Sequence, residues 1–377
     1  MTNLRIPGPT PLPKEVLRAI SRQVINHRGH EYEEMQARVT KNLQYFFQTK
    51  NDIFLLTSSG MGGLEAAISN FFSPGDTLVF FTCGEFGNRW AEIAKRFGGN
   101  MIHIKAQVGE VVKVEKVEEV IHKYKKIAGV FFTHNETATG VLNKLDQLIP
   151  LVKQHQSKPL ILVDSISALG AVDLPMDKLG IDVLVTASQK AWMAPPGIAM
   201  IAVSQKAWGY QRRAKMPHYY FDLAMYKEFA EKHQTPATCA VSTIFGLDAS
   251  LQIMKKDGRE NIFKRHILLM RQLREGIRNI ETYTDKPVHR LELFVDDRDA
   301  SPAVTSIKIP EGIDGKEWLT ILREKYHIEL AGGMGETKGK IIRVAHMGYV
   351  AKNDIDQVLS AINSSLSVLK TRKKIKV

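Results

Sequence analysis

Cysteine is scarce: the 377 residues hold two, Cys83 and Cys239, far apart and without metal-ligand spacing. No metal site and no disulfide framework is expected from them, and both thiols read as reduced. Long hydrophobic runs are also missing, since no apolar stretch reaches the ~18–20 residues that span a bilayer. The N-terminus lacks the apolar core of a secretory signal, and Pro7, Pro9, Pro11 and Pro13 would break any such helix. A cytoplasmic protein with no membrane partner is the expectation. Internal repeats and low-complexity segments are lacking too.

Acidic residues are outnumbered, 40 against 52 lysines and arginines, for a net charge of +12. Such an excess raises the question of nucleic acid. The basic residues are spread along the chain, however, except at Lys370, Arg372, Lys373, Lys374 and Lys376, which read as a solvated, frayed tail. Nucleic acid is therefore not an expected partner. With 44% hydrophobic and 24% charged residues the composition is that of a soluble globular protein. The length suits a large domain plus a smaller one.

One lysine stands out by its setting. Residues 181–185 read as a strand buried on both faces, the small polar residues after them leave the sheet, and Pro195-Pro196-Gly197 stops any helix before an apolar run resumes at 198–203. Lys190 thus sits on a short loop at a strand end. Partial desolvation there lowers a lysine's pKa and frees the amine for Schiff-base chemistry. On local grounds alone, a solvated surface lysine is the alternative. Upstream, residues 159–165 form an apolar strand ending in Asp164, at a sheet edge facing the same crevice. A Schiff-base lysine with an aspartate on a pyridinium nitrogen is the protein half of pyridoxal-phosphate (PLP) chemistry.

The segments Val163-Asp164-Ser165-Ile166-Ser167-Ala168-Leu169-Gly170 and Ser188-Gln189-Lys190-Ala191, the latter running on to Pro195-Pro196-Gly197, closely resemble the class V, fold-type I aminotransferases of the alanine/serine–glyoxylate (serine–pyruvate) group. The resemblance covers nearly the whole chain. It implies an α/β protein of the PLP-dependent transferase fold type I, with a mainly parallel central sheet in a large domain and a smaller α+β C-terminal domain. Strands followed by helical segments from about 50 to 205 make βα units, which agrees with a mainly parallel sheet. The expected division is an N-terminal arm at 1–20, a large PLP-binding domain at 21–257, and a small domain at 258–377 that takes in part of the arm.

The strand Ile53-Phe54-Leu55-Leu56 runs into Thr57-Ser58-Ser59-Gly60-Met61-Gly62-Gly63, a glycine-rich turn ahead of an expected helix at 64–72. Free N–H groups, a positive helix end and glycines make an anion site. By resemblance it cradles the PLP phosphate through Ser59, Gly60 and Met61, with only the backbone of Met61 carried over because some members have histidine there. The resemblance also implies that Phe86 stacks on the pyridine ring, although by itself Phe86 reads as core. It further implies that Thr137 approaches the ring or its hydroxyl, and that Ile166 and Gln189 belong to the cofactor site. His134 reads as a structural histidine. Thr238, in the segment after His233, would donate to the phosphate of a neighbouring subunit; capping of the helix expected at 242–255 is equally good locally. Gly8 would help line the substrate site, in an arm that crosses onto a second subunit. A short helix from Pro13, a helix at 31–47 behind the loop at 27–32, and a surface stretch at 210–232 running towards the partner complete this part.

An amphipathic helix at 259–278 leads to the small domain, with strands near 303–309 and 341–345 and a helix near 315–326. Arg343 sits among apolar neighbours, which is costly unless its charge is paired. In the resembling family this position grips the substrate α-carboxylate, and a bidentate pair would orient the amino acid; a structural ion pair is the alternative. The resulting expectation is a homodimeric PLP-dependent aminotransferase using small donors, alanine or serine, with glyoxylate or pyruvate as acceptor. Aspartate, ureidoglycine and aminoethylphosphonate transaminases share the pattern. A PLP lyase or cysteine desulfurase is the enzymatic runner-up, although neither Cys83 nor Cys239 lies in a desulfurase-like loop. A basic binding protein on a retired scaffold would be expected to have lost Lys190 or Asp164, and both are present.

Overall fold

The computed structural model describes residues 2–282 and 289–375, with side chains at 2–281 and 290–370. Seven strands rich in valine, isoleucine, leucine and phenylalanine form the central sheet: β1 (Asp52–Thr57), β2 (Thr77–Thr82), β3 (Asn100–Lys105), β4 (Gly129–Thr133), β5 (Leu160–Asp164), β6 (Val183–Ala187) and β7 (Ile198–Val203). Their order is β1-β7-β6-β5-β4-β2-β3. The pairs β5/β6, β4/β5, β2/β4 and β2/β3 are parallel, while β7 runs antiparallel to both its neighbours.

Six of the strands are covered on both faces, which is why they read as apolar runs, while the edge strand β3, Asn100-Met101-Ile102-His103-Ile104-Lys105, is only half-buried. Successive residues point to opposite faces, so Phe81 and Phe132 stack at 5.3 Å in one layer and Phe80 and Phe131 at 4.0 Å in the other. The first layer packs under the helices His30–Phe47 and Val241–Asp257. The second packs under Gly60–Ser69 and Glu85–Arg96.

A separate apolar cluster around Trp318, Leu322, Ile342 and Val344 holds the C-terminal part together. It contains the helices Arg259–Arg278, Gly315–Tyr326 and Lys352–Ile375, and a three-stranded antiparallel sheet with Ile341–Ala345 between Val304–Lys308 and Ala331–Gly332. The basic C-terminal stretch continues this last helix to Ile375 instead of fraying, and the side chains of Arg372, Lys373, Lys374 and Lys376 lie outside the described residues. Among the described residues no helix is long and apolar enough to cross a membrane.

The structure adds to three expectations. The arm is held on its own chain: Asn3–Leu4 pairs in parallel with Ile328–Glu329, and the Ala345 N–H donates to the Arg5 carbonyl at 2.8 Å. The helix expected at 64–72 spans Gly60–Ser69, so the glycines form its first turn. The stretch 210–232 is anchored on the core through Met216, Leu223 and Tyr226, while Tyr219 and Tyr220 stay exposed.

Candidate active site

The site forms where β5 and β6 end side by side, with Asp164 in register with Val185. Beyond Ala187 the backbone turns out of the sheet and is fixed by its own polar groups. Ser188 Oγ donates to the Pro195 carbonyl at 2.6 Å, and the Ala194 N–H donates to the Ser188 carbonyl at 3.1 Å. Lys190 leaves this loop half-buried. Its Nζ donates to the Pro7 carbonyl, and Thr10 Oγ1 donates to the Lys190 carbonyl at 2.9 Å. A Cβ on Gly8 would stand 2.7 Å from Lys190 Cδ and Nζ, so glycine allows the arm to lie against the lysine. Burial pulls the lysine down to about 8, against the neighbouring Asp164 carboxylate, which favours its charge, and with Arg343, which opposes it.

Asp164 is buried, and the Ile166 N–H donates to its Oδ1 at 2.9 Å. Burial pushes it up to about 7; the N–H and Lys190 pull the other way, while Glu136 adds to the rise. His134, next to it, is buried with Nδ1 3.1 Å from Ser165 Oγ, and burial depresses it to about 3. Its imidazole is therefore neutral and hydrogen-bonded in the wall beside Asp164.

Ser59 begins the helix Gly60–Ser69, and no side chain caps that end. A Cβ on Gly60 would stand 2.7 Å from Ile166 Cδ1, and one on Gly63 would stand 2.8 Å from Val185 Cγ1. Glycine thus brings an uncapped, positive helix end down onto the sheet beside Ile166. The Met61 side chain is exposed. Phe86 is half-buried, not core, with the Arg89 guanidinium 5.2 Å from its ring centre. Thr137 is buried and donates from Oγ1 to Ser167 Oγ at 2.6 Å.

Arg343 enters from the C-terminal sheet. Its Nε donates to the Gly332 carbonyl at 2.9 Å and its Nη1 to the Thr137 carbonyl at 3.0 Å. The guanidinium is buried, yet among the described residues no carboxylate lies within ion-pair distance of it. The structural ion pair weighed for it does not form. Burial lowers its pKa, with Glu136 acting the other way.

Thr238 is not drawn in. It is exposed and does not cap the following helix, whose first residue is Val241 and whose Ala240 N–H is taken by Thr57 Oγ1 at 3.1 Å. Sequence reasoning also passed over Glu136, fully buried beside Thr137, and Thr10, because nothing local marks their partners. Cys83 and Cys239 are buried and unpaired, and burial drives the Cys83 thiol far up, away from the thiolate.

The donor set fits PLP. A buried carboxylate with no cationic partner in hydrogen-bond contact suits a protonated ring nitrogen, and an uncapped glycine-lined helix end suits a phosphate. Gln189 Oε1, next to the lysine, is a buried oxygen without a hydrogen-bond partner, so polar capacity remains there for a ligand. Among the described residues no group of three or more His, Cys, Asp or Glu side chains is arranged to hold a metal ion.

Residues 2–358 match the family described as aminotransferase class-V. The chain is 38% identical over 368 residues to a protein of Synechococcus sp. (strain PCC 6716) named soluble hydrogenase, small subunit, covering 97% of this chain and 93% of that one. Over 348 residues it is 32% identical to the L-aspartate–glyoxylate aminotransferase of Paracoccus denitrificans (strain Pd 1222), covering 91% and 85%. The crystal structure of an alanine–glyoxylate aminotransferase from Nostoc sp. is similar with a TM-score of 0.91 at 28% identity, over 97% of this chain and 95% of that one.

Proposed function

The chain belongs to the class-V aminotransferases, and we propose that it moves an amino group from a small amino acid, alanine or serine, to glyoxylate or pyruvate. The observation that carries the substrate class is Arg343: a buried guanidinium held by two carbonyls, with no carboxylate within ion-pair distance among the described residues, is arranged to receive one from a ligand. Relatives named for glyoxylate aminotransfer support the acceptor. The hydrogenase name belongs to that relative; the lysine–aspartate pair here is the chemistry of aminotransfer.

When bound, pyridoxal phosphate supplies the electron sink for the pair left on Cα as its proton departs. The chain's own residues supply the rest. Ser59, Gly60 and Met61 hold the phosphate at the helix end, joined by Thr238 of a neighbouring subunit. Phe86, Ile166, Thr137 and Gln189 surround the ring, and Asp164 sets a negative charge against the ring nitrogen. A cationic N–H there favours the ionised carboxylate and so offsets the rise that burial causes. Lys190 Nζ would hold the cofactor covalently, and as a neutral amine it would serve as the base for the Cα proton. A depressed pKa keeps enough of the amine neutral for that role. Arg343 fixes the α-carboxylate, with Gly8 closing the other side.

The same reading takes the arm at 1–20, the region 21–257 and the region 258–377 as functional units of a homodimer. Two buried, unpaired thiols support a reducing, cytoplasmic setting. A donor–acceptor panel on the purified yellow protein tests the activity, with alanine, serine and aspartate against glyoxylate and pyruvate. Turnover is expected with alanine or serine, and Lys190→Ala is expected to lose colour and turnover together. Undiminished transamination by that variant removes Lys190 from the chemistry.

A further inference from the structure

Glu136 has no part in the mechanism above, yet it is a fully buried carboxylate in the loop that joins three parts of the site. Its Oε2 accepts from the Phe86 N–H at 3.1 Å and the Gly87 N–H at 3.2 Å. Its Oε1 accepts from the Ala138 N–H at 2.9 Å and, more weakly, from Phe86 at 3.3 Å. Phe86 and Gly87 lie in the first turn of Glu85–Arg96, where free N–H groups and the helix dipole favour an anion. That helix has no capping side chain of its own, since its N-cap is Gly84. The carboxylate therefore fastens the start of one segment to the loop of another.

The next residue extends the connection. The Thr137 carbonyl receives Arg343 Nη1, and Thr137 Oγ1 reaches Ser167 in the loop after Asp164. Ring, guanidinium and aspartate loop all meet at residues 136 and 137. We propose that Glu136 is a positioning residue, which sets the Phe86 ring and, through Thr137, the Arg343 guanidinium in one frame for cofactor and substrate. This rests on the aminotransferase reading and deepens it.

The geometry also supplies two independent ways to disturb the frame. Glu136→Gln keeps the volume, but either amide orientation turns an NH2 towards a backbone N–H. Gly84→Ala leaves the carboxylate charge intact and adds a Cβ 2.5 Å from Glu136 Cγ, pushing the side chain off its donors. Gly84 is extended at φ 167°, so alanine is not strained by the backbone.

The experiment measures PLP dissociation from the refolded or resolved protein by absorbance, then KM and kcat for the amino donor, then the thermal midpoint of the cofactor-free protein. Both variants are expected to weaken PLP binding and raise the donor KM, each by ~10-fold or more, as loss of charge-assisted hydrogen bonds implies. A merely structural role would lower the thermal midpoint and leave both constants at parent values. That result in either folded variant overturns the inference, and so does failure of both variants to fold. If the parent protein itself takes up no PLP, the aminotransferase reading fails instead, so the two failures are distinguishable.

Discussion

A lysine's reactivity is set by what surrounds its ammonium. Lys190 lies under the arm, with Gly8 against its methylenes and Nζ donating to the Pro7 carbonyl, and burial brings its pKa from 10.5 down to about 8. Only the neutral amine attacks a carbonyl, so the fraction able to capture PLP rises about tenfold per pH unit below the pKa and levels above it. The rate of PLP attachment to cofactor-free protein, followed by visible absorbance and corrected with a free primary amine under the same conditions, should climb up to about pH 8 and then flatten. A rate still climbing tenfold per unit at pH 9–10 would mean that the amine titrates as an ordinary solvated lysine. Asp164 answers to the same physics with the opposite sign. Desolvation raises an acid and lowers a base, and one crevice does both to neighbouring residues.

At the scale of elements, the strand Ile341–Ala345 carries an arginine whose neighbours in sequence are all buried and apolar. The sheet fixes the position of Arg343 by pairing it with Ser306 and Ala331, and two carbonyls fix the guanidinium plane. Arg343→Lys keeps the charge and gives up the planar fork, so kcat/KM should fall by at least ~10²-fold for every amino acid tested, as for a bidentate contact worth roughly 3 kcal/mol. PLP content should stay normal, because the expected cofactor ligands lie elsewhere. Loss of cofactor or unfolding, with parent kcat/KM in any surviving holoenzyme, would make the arginine structural.

Elements of this kind were legible wherever one short window holds the signal. The helix Arg259–Arg278 is written in its periodicity, and six strands of the central sheet are written as apolar runs because both faces are covered; the half-buried edge strand Asn100–Lys105 carries no such run and was not expected. The helix start at Gly60 was not legible, since four residues containing three glycines read as a turn. Only the approach to Ile166 and Val185 explains why glycine serves in a first helical turn. Glu136 was hidden for a related reason. Its donors, Phe86 and Gly87, come from a distant segment, and no local pattern announces that pairing. The arm's prolines likewise gave its extended form but not the surface on which it lies.

At the scale of the whole molecule, Thr238 is the one residue proposed for the phosphate cradle that would act from a second subunit. The segment before Val241 is fixed from below, where Arg28 donates to Gln234 Oε1 at 3.2 Å and to the Pro236 carbonyl at 3.0 Å, while Thr238 is exposed at the surface. Thr238 makes no hydrogen bond to Ser59, Gly60 or Lys190 of its own chain. A threonine held outward on a pinned segment suits a two-fold interface, in which each subunit lends the same group to the other. Thr238→Ala should then weaken PLP binding by about tenfold, the effect of one hydrogen bond to a charged group. The decisive measurement mixes that variant with Lys190→Ala under conditions that allow subunit exchange. Each hybrid dimer would contain one doubly defective site and one site of parent composition, made of Lys190 from one subunit and Thr238 from its partner. At equal mixing about a quarter of all sites should regain parent PLP affinity, although neither variant shows it alone. If exchange is complete and no parent-affinity sites return, Thr238 does not act across an interface, and the phosphate is held within a single subunit.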